Sequence, residues 1–432
     1  MTKPPPGDRG LPLLGETLDF MKGPGPFVKQ RFAKHGCPFK SNVIFTTTVF
    51  LKGADAAELF LDDSLVSKVG SVPPPLMKLF SGDGLVNMID DDAHRVRRQL
   101  LLAGFDEAAC LAYVPALERV ASRFFERWAA TPGQPILDDL KSLCIESIGS
   151  TMFGIEDPTK LDVMKNDTIT VLEAMTALPV QLPGTKYSRG VAAMKRIVRN
   201  YTEYVGRAAE GTGAARIRAA RIEGQSLDST LIARELHHAV IAGYIVFAEL
   251  VATFVQLDRH PQVRDAVVRE LRDAGLEGAL DPATLQSLPV LDRVVSEIKR
   301  VTPNVPVAFW KARKTFEFRG ATIQKGWGLV LCTTETSVSE EHWADPLRFD
   351  PERFAPGGEA EQAPHAFAVQ GVGPMTGHKC LGFHFSSTLM RVFTALACRD
   401  WEWTLPEQDR SLTMAQIPPE PRSGLVLELR AR

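Results

Sequence analysis

Cys380 closes a glycine-rich stretch, FAVQGVGPMTGHKCLGFHF from 367 to 385, and is followed at once by Leu381, Gly382 and a helical run. A lone thiol at a helix entrance, behind a bend that glycines permit, is suited to hold iron as its thiolate, because backbone N–H groups there stabilise the anionic sulfur. The plainer reading is a buried structural cysteine, and the loop alone leaves both open. Glu297 and Arg300 stand three apart in LDRVVSEIKRVTP, so a carboxylate and a guanidinium share one helix face and can pair, within a buried network or as a surface ion pair. Arg353, inside PERF at 351–354, is a second guanidinium that a buried carboxylate could share. His94 and Arg98, four apart in IDDDAHRVRRQLLLAGF, can reach one anion together. The Asp90, Asp91, Asp92 run ahead of them reads as a charged helix start rather than a diphosphate-metal site.

Something must bring these groups into one place. A chain of 432 residues without an obvious repeat is two or three ordinary domains or one large enzyme domain, and it can bury a sizeable core. The formal net charge of -2, with both signs interspersed, gives no sign of a nucleic-acid or acidic partner. Six cysteines, Cys37, Cys110, Cys144, Cys332, Cys380 and Cys398, are scattered without CxxC spacing. That speaks against a disulfide framework, a zinc ribbon or covalently attached c-type heme, and for a reducing cytoplasm. The opening MTKPPPGDRGLPLLGE has proline and charge where a signal peptide needs an apolar run, so the expectation is a soluble protein with no membrane anchor.

Taken in order, a Pro-rich arm and a short helix around Pro26 to His35 lead into FKSNVIF and TTVFLKG, whose β-branched and aromatic content predicts a small sheet. Ala54 to Leu61 predicts a helix, and SVPPPLMKLFSGDG a loop able to line a cavity. Amphipathic helices follow from Tyr113 to Arg221, broken at Thr131 to Gln134 and at LPVQLPGTKYSRG, Leu178 to Gly190. The second break has the composition of a mobile lid, although an ordinary helix connection is compatible with it. Leu231 to Leu257 is apolar all round, which suits a helix through the centre of a large globule better than a membrane span interrupted by Glu249, Thr253 and Gln256. Strands follow Arg300 in VPVAFWKARKTFEFRGATIQKGWGLVLC.

In this order and with these intervals, Glu297-x-x-Arg300, PERF and Cys380-Leu-Gly382 resemble the heme-thiolate cytochromes P-450, and His94-x-x-x-Arg98 is similar to their propionate-binding helix. The resemblance covers essentially the whole chain. It implies a mainly α fold with small β sheets, one heme-thiolate domain over 1–432, and non-covalently held heme b. Cys380 is then the axial ligand and metal-binding residue, and Glu297, Arg300 and Arg353 form the structural network beneath the heme. His94 and Arg98 are expected at the heme carboxylates. So is His378, two before the cysteine where the family usually has Arg, and so is Lys311, beside Trp310 on the strand after Arg300.

Two departures from the family pattern bear on the chemistry. Seven and four residues before the cysteine the family has Phe and Gly, where this chain has Gly373 and Thr376; matching Gln370-Gly371-Val372-Gly373 to the usual Phe-Gly-x-Gly leaves three extra residues. That enlargement, with Gly377-His378-Lys379-Cys380, is similar to the peroxide-using fatty-acid peroxygenases. On the central helix, family monooxygenases place an acid and then a threonine, because heterolytic O–O cleavage needs protons delivered to the distal oxygen. Aligning on Ala242-Gly243 puts Ile245 and Val246 there, and aligning on the helix end puts Tyr244 and Ile245 there. Tyr244 is the titratable side chain within a turn, and an ordinary pKa of about 10 makes it a poor relay unless tuned. His237 and His238, two turns earlier, read as core or channel residues, and the Arg-Pro pair of the peroxygenases is absent.

The lid and the strand KTFEFRGATIQKGW resemble the branch acting on retinoids, sterols and other isoprenoids. The candidate lining is Leu76, Met77, Ile241, Tyr244, Ile245, Val305, Val307, Met414 and Ile417, any of which could instead be core. An apolar pocket of that kind orients ligand by shape. The expectation is a monooxygenase-type oxidoreductase inserting one oxygen into a small hydrophobic, terpenoid molecule. Electrons would come from a ferredoxin and ferredoxin reductase, as the chain shows no flavin or iron–sulfur domain. The alternative is a peroxygenase, or a non-redox isomerase or cyclase; a third reading is a heme-binding or ligand-carrying protein.

Overall fold

The computed structural model describes residues 3–413 and 418–432. Helices dominate, and one five-stranded sheet lies to the side of them. The sheet joins β1 (Phe39–Val43), β2 (Thr46–Leu51), β3 (Val66–Ser67), β4 (Ala308–Ala312) and, after the small antiparallel pair β5 (Phe316–Phe318) and β6 (Ala321–Ile323), β7 (Gly328–Leu331). Its order is β1-β2-β7-β4-β3, with β2 and β7 parallel, Thr48 opposite Gly328, and the other neighbours antiparallel. The runs TTTVFL and GLVL suit a pleated surface buried on both faces. One face packs with Ala368 and Val372, so the sheet backs the stretch leading to Cys380.

The main core is helical. Val114–Ala130, the central helix and Phe383–Asp400 meet around Phe125, Phe254 and Phe393, with ring centroids 5.0 Å (Phe125–Phe393) and 5.3 Å (Phe254–Phe393) apart. The central helix runs Ser229–Tyr244 and Phe247–Arg259, interrupted at Ile245 and Val246. There the i→i−4 ladder gives way to shorter bonds, Val246 N to Gly243 O at 3.3 Å and Glu249 N to Val246 O at 2.8 Å. Ser229–Arg259 is long and apolar enough to cross a membrane, with a mean hydropathy of 1.9, but 83% of that window is buried inside the protein. Gly243 fixes its facing: a Cβ there would come 2.3 Å from Ile148 Cδ1, so this face lies flat on the helix Leu137–Ile148.

Two expected loops are partly helical. SVPPPLMKLFSGDG contains a short helix, Pro74–Leu79, because proline at its first turn presets φ and needs no N–H partner. It is tied down by Tyr187 Oη donating to Pro75 O and His237 Nε2 to Leu79 O. Lys186–Arg207 begins inside the expected lid, capped by Thr185 accepting from Ser188 N, which leaves Leu178, Val180 and Leu182 exposed before it.

Candidate functional site

Cys380 is half-buried and Gln370 holds it from both ends. Its N–H donates to Gln370 O at 2.7 Å, and Gln370 Nε2 donates to its Sγ at 3.8 Å. Gly371 makes the loop possible: at φ +77° a side chain would be strained, and a Cβ would lie 3.4 Å from Lys379 Cα. Arg98 clamps the enlarged part of the loop, Nε donating to Met375 O at 2.7 Å and Nη2 to Lys379 O. Burial pushes the Cys380 thiol up; the Gly382 N–H, Arg98 and Lys299 act against that and favour the thiolate.

Beneath this loop lies a fully buried polar layer. Arg300 grips Glu297 with two bonds, Nε to Oε2 at 2.6 Å and Nη2 to Oε1 at 2.7 Å, and its Nη1 donates to Ser337 O and Pro346 O. Glu297 Oε1 also accepts from Asp350 N at 2.9 Å and lies 3.6 Å from Arg353 Nε. Arg353 continues to Glu359 Oε2 at 2.6 Å and Asp345 O at 2.8 Å. Burial pushes the Glu297 carboxyl up while Arg300 pulls it back, so the pair holds its charge in the core by geometry.

To one side is a basin of basic groups. The His94 and His378 rings lie 3.9 Å apart, and the Lys68 ammonium sits 3.2 Å over the Trp310 ring while donating to Phe309 O. Burial, helped by Arg98, lowers His94 to about 4; burial, helped by His94, lowers His378 to about 3; burial lowers Lys68 to about 7. Trp310 Nε1 is buried without a hydrogen-bond partner among the described residues. At pH 7 His94 and His378 are thus neutral N–H donors, and with Lys68, the Arg98 guanidinium and the orphaned indole N–H they make a cluster of donors that fits the carboxylates of a porphyrin. Lys68, which no sequence pattern singled out, stands where Lys311 was expected. Lys311 follows Trp310 on β4 and so points to the other face of the sheet.

Opposite Cys380, the central helix presents His238, Ala242, Ile245 and Glu249 along one stripe. His238 and Ala242 are half-buried, and His238 meets Phe80 edge-on at 5.2 Å. Ile241, Ile245 and Val246 are buried apolar residues that offer no proton. Tyr244 does not join them. Its ring packs on Phe247 at 5.4 Å, and burial, with Glu420 close by on the side away from Cys380, raises its hydroxyl further. That corrects both its catalytic and its pocket reading. Val307 is likewise core, packed with Phe20, Phe27 and Phe50. Leu76 and Met77 are half-buried and Val305 is exposed. Met414 and Ile417 lie outside the described residues.

The comparisons with known proteins agree with this geometry. The family model for Cytochrome P450 matches residues 4–210 and 213–426. The chain is 26% identical to the putative cytochrome P450 120 of Synechocystis sp., over 98% of this chain and 96% of that one. It is 25% identical to the beta-amyrin 28-monooxygenase of Barbarea vulgaris, over 99% and 92%. It superposes on retinoic acid-bound cyanobacterial CYP120A1 with a TM-score of 0.91 at 25% identity, covering all of both chains.

Proposed function

From the premise that the chain belongs to the cytochrome P450 family, heme b oxidoreductases of monooxygenase type, we propose that it oxidises a small hydrophobic terpenoid. One heme-thiolate unit would span 1–432, with Cys380 holding the iron and His94, His378, Lys68, Arg98 and Trp310 Nε1 holding the heme carboxylates. Heme supplies the oxygen-activating iron chemistry; the chain's own side chains do the rest. Gln370 and the Gly382 N–H hold the sulfur as its anion. Glu297, Arg300 and Arg353 keep the loop from shifting when charge at the sulfur changes. Ala242 and Ile245, with Leu76 and Met77, would give the substrate an apolar wall that orients by shape and excludes water, with the neutral His238 ring as its one polar edge.

The observation carrying this reading is the basic basin beside a half-buried thiol that Gln370 grips at both ends. The terpenoid assignment draws support from the retinoic acid held by CYP120A1 and the beta-amyrin oxidised by the Barbarea relative. Electrons would come from a separate ferredoxin and its reductase, in the cytoplasm. Retinoic acid turned over with such a system under labelled dioxygen is expected to gain one labelled oxygen; peroxide release without product would contradict the assignment.

A second reading has its own observation. The interruption at Ile245 and Val246 presents neither acid nor alcohol, so no protein group there delivers the protons that dioxygen cleavage needs. Hydrogen peroxide arrives already carrying them, and peroxide-driven turnover faster than the ferredoxin-driven rate would favour a peroxygenase.

A further inference from the structure

Lys299 lies between Glu297 and Arg300 in sequence but uses none of their partners. It is 1% exposed, and its ammonium donates to Gln370 Oε1 at 2.9 Å, Ser386 Oγ at 2.9 Å and Ser387 Oγ at 2.8 Å. Ser387 Oγ donates to Phe383 O at 2.8 Å and Ser386 Oγ to the same carbonyl at 3.2 Å, so both hydroxyl hydrogens are spent and both oxygens must accept from Lys299. Three acceptors at hydrogen-bond distance match the three N–H donors of an ammonium, which accepts nothing.

That has a consequence for Gln370. A group that only donates forces the amide oxygen towards it, and the amide NH2 is thereby turned to the other side, onto Ser386 Oγ at 3.1 Å and Cys380 Sγ at 3.8 Å. Without Lys299 the amide could flip and present its oxygen to the sulfur, where two electron-rich atoms would repel. Burial lowers the ammonium's pKa, and the Glu249 carboxylate, held by Asn304 Nδ2 at 2.9 Å, opposes that.

We propose that Lys299 is a positioning residue that locks the Gln370 amide as a hydrogen-bond donor to Cys380, and so raises the reduction potential of the iron that Cys380 binds. The direction follows from charge: a donor draws electron density from the sulfur, and the reduced centre, richer by one electron, gains more from that than the oxidised one. The inference rests on the heme-thiolate reading and deepens it.

Potentiometric titration of the heme-loaded protein tests it. Lys299→Met and Gln370→Leu are each expected to lower the equilibrium constant for reduction about tenfold, ~59 mV for a one-electron couple. The double variant should fall no further than the lower single one, because the lysine acts through the amide. Lys299→Arg, which keeps the donors, should stay within about threefold of wild type. Gln370 is half-buried, so Gln370→Leu carries the test if Lys299→Met does not load heme. Unchanged potentials in Gln370→Leu, or additive losses in the double variant, would overturn the inference. A purely structural lysine would move the unfolding midpoint and leave the potential alone. Failure of the heme-thiolate reading looks different: wild type itself would then lack a thiolate-type spectrum.

Discussion

The two faces that meet at Cys380 are built from opposite materials. Below the loop, Glu297, Lys299, Arg300 and Arg353 are all but inaccessible to solvent, and the donors of Lys299 and Arg300 are bonded. Across from it, the central helix offers Ala242, Ile245 and Val246 between His238 and Glu249, and the backbone itself departs from the regular ladder. Buried charge tolerates no missing partner, whereas an apolar wall tolerates changes of shape. The chain therefore commits its polar groups to holding the Cys380 loop and leaves the opposing helix free to vary in shape.

The sharpest way to break this contrast is Arg300→Ala. Stripping the buried Glu297 carboxylate of its two Arg300 bonds, with only Asp350 N and the more distant Arg353 left to it, should cost about 3 kcal/mol, read as a lower urea midpoint; a cost below about 1 kcal/mol would mean the layer is no more demanding than the wall.

Acid should act on the buried histidines, His94 and His378 in the basin as well as His237 on the helix side. His237 is buried with Nε2 donating to Leu79 O, and burial lowers it to about 4 from an ordinary 6.5. The fold thus favours the neutral ring, so this contribution is fully present above pH 6.5 and is lost as pH falls through 6.5 towards 4. It is on the order of 3 kcal/mol. The gap between urea midpoints at pH 7.5 and 4.5 should narrow, without closing, in His237→Gln relative to wild type; an equal gap in both proteins would assign the acid sensitivity to the other buried histidines alone.

The smallest effect belongs to Val246→Thr. The shapes match and a helix threonine can bond the carbonyl four residues back, so the stability change should stay under about 1 kcal/mol. If a proton donor is what this helix lacks, the variant should release less peroxide per electron consumed with dioxygen. Unchanged peroxide release would show that the interruption is not where protons are needed.

How much was legible depended on what each residue's spacing could encode. Glu297, Arg300 and Arg353 were visible because three-residue spacing and a short motif prescribe facing partners. Lys68 was not: β3 and β4 bring it over Trp310 through pairing between distant segments, which leaves no local pattern. Lys299 looked like any helix lysine, and only the burial of that helix's last turn, 297–300, makes it a core group. Tyr244 failed for a related reason. On a helix apolar all round, periodicity cannot say which face meets the site; the close approach of Gly243 to Ile148 decides it. The glutamine at 370 was noticed as a departure, but its reach to the sulfur depends on the lysine behind it.

The whole account hangs on sulfur binding iron, and one spectrum reads that bond. Protein reconstituted with hemin, reduced and exposed to carbon monoxide should give the long-wavelength Soret band of a thiolate-ligated heme, and Cys380→Ser should lose it while still folding. A wild-type spectrum without that band, or a Cys380→Ser spectrum indistinguishable from wild type, would contradict the assignment.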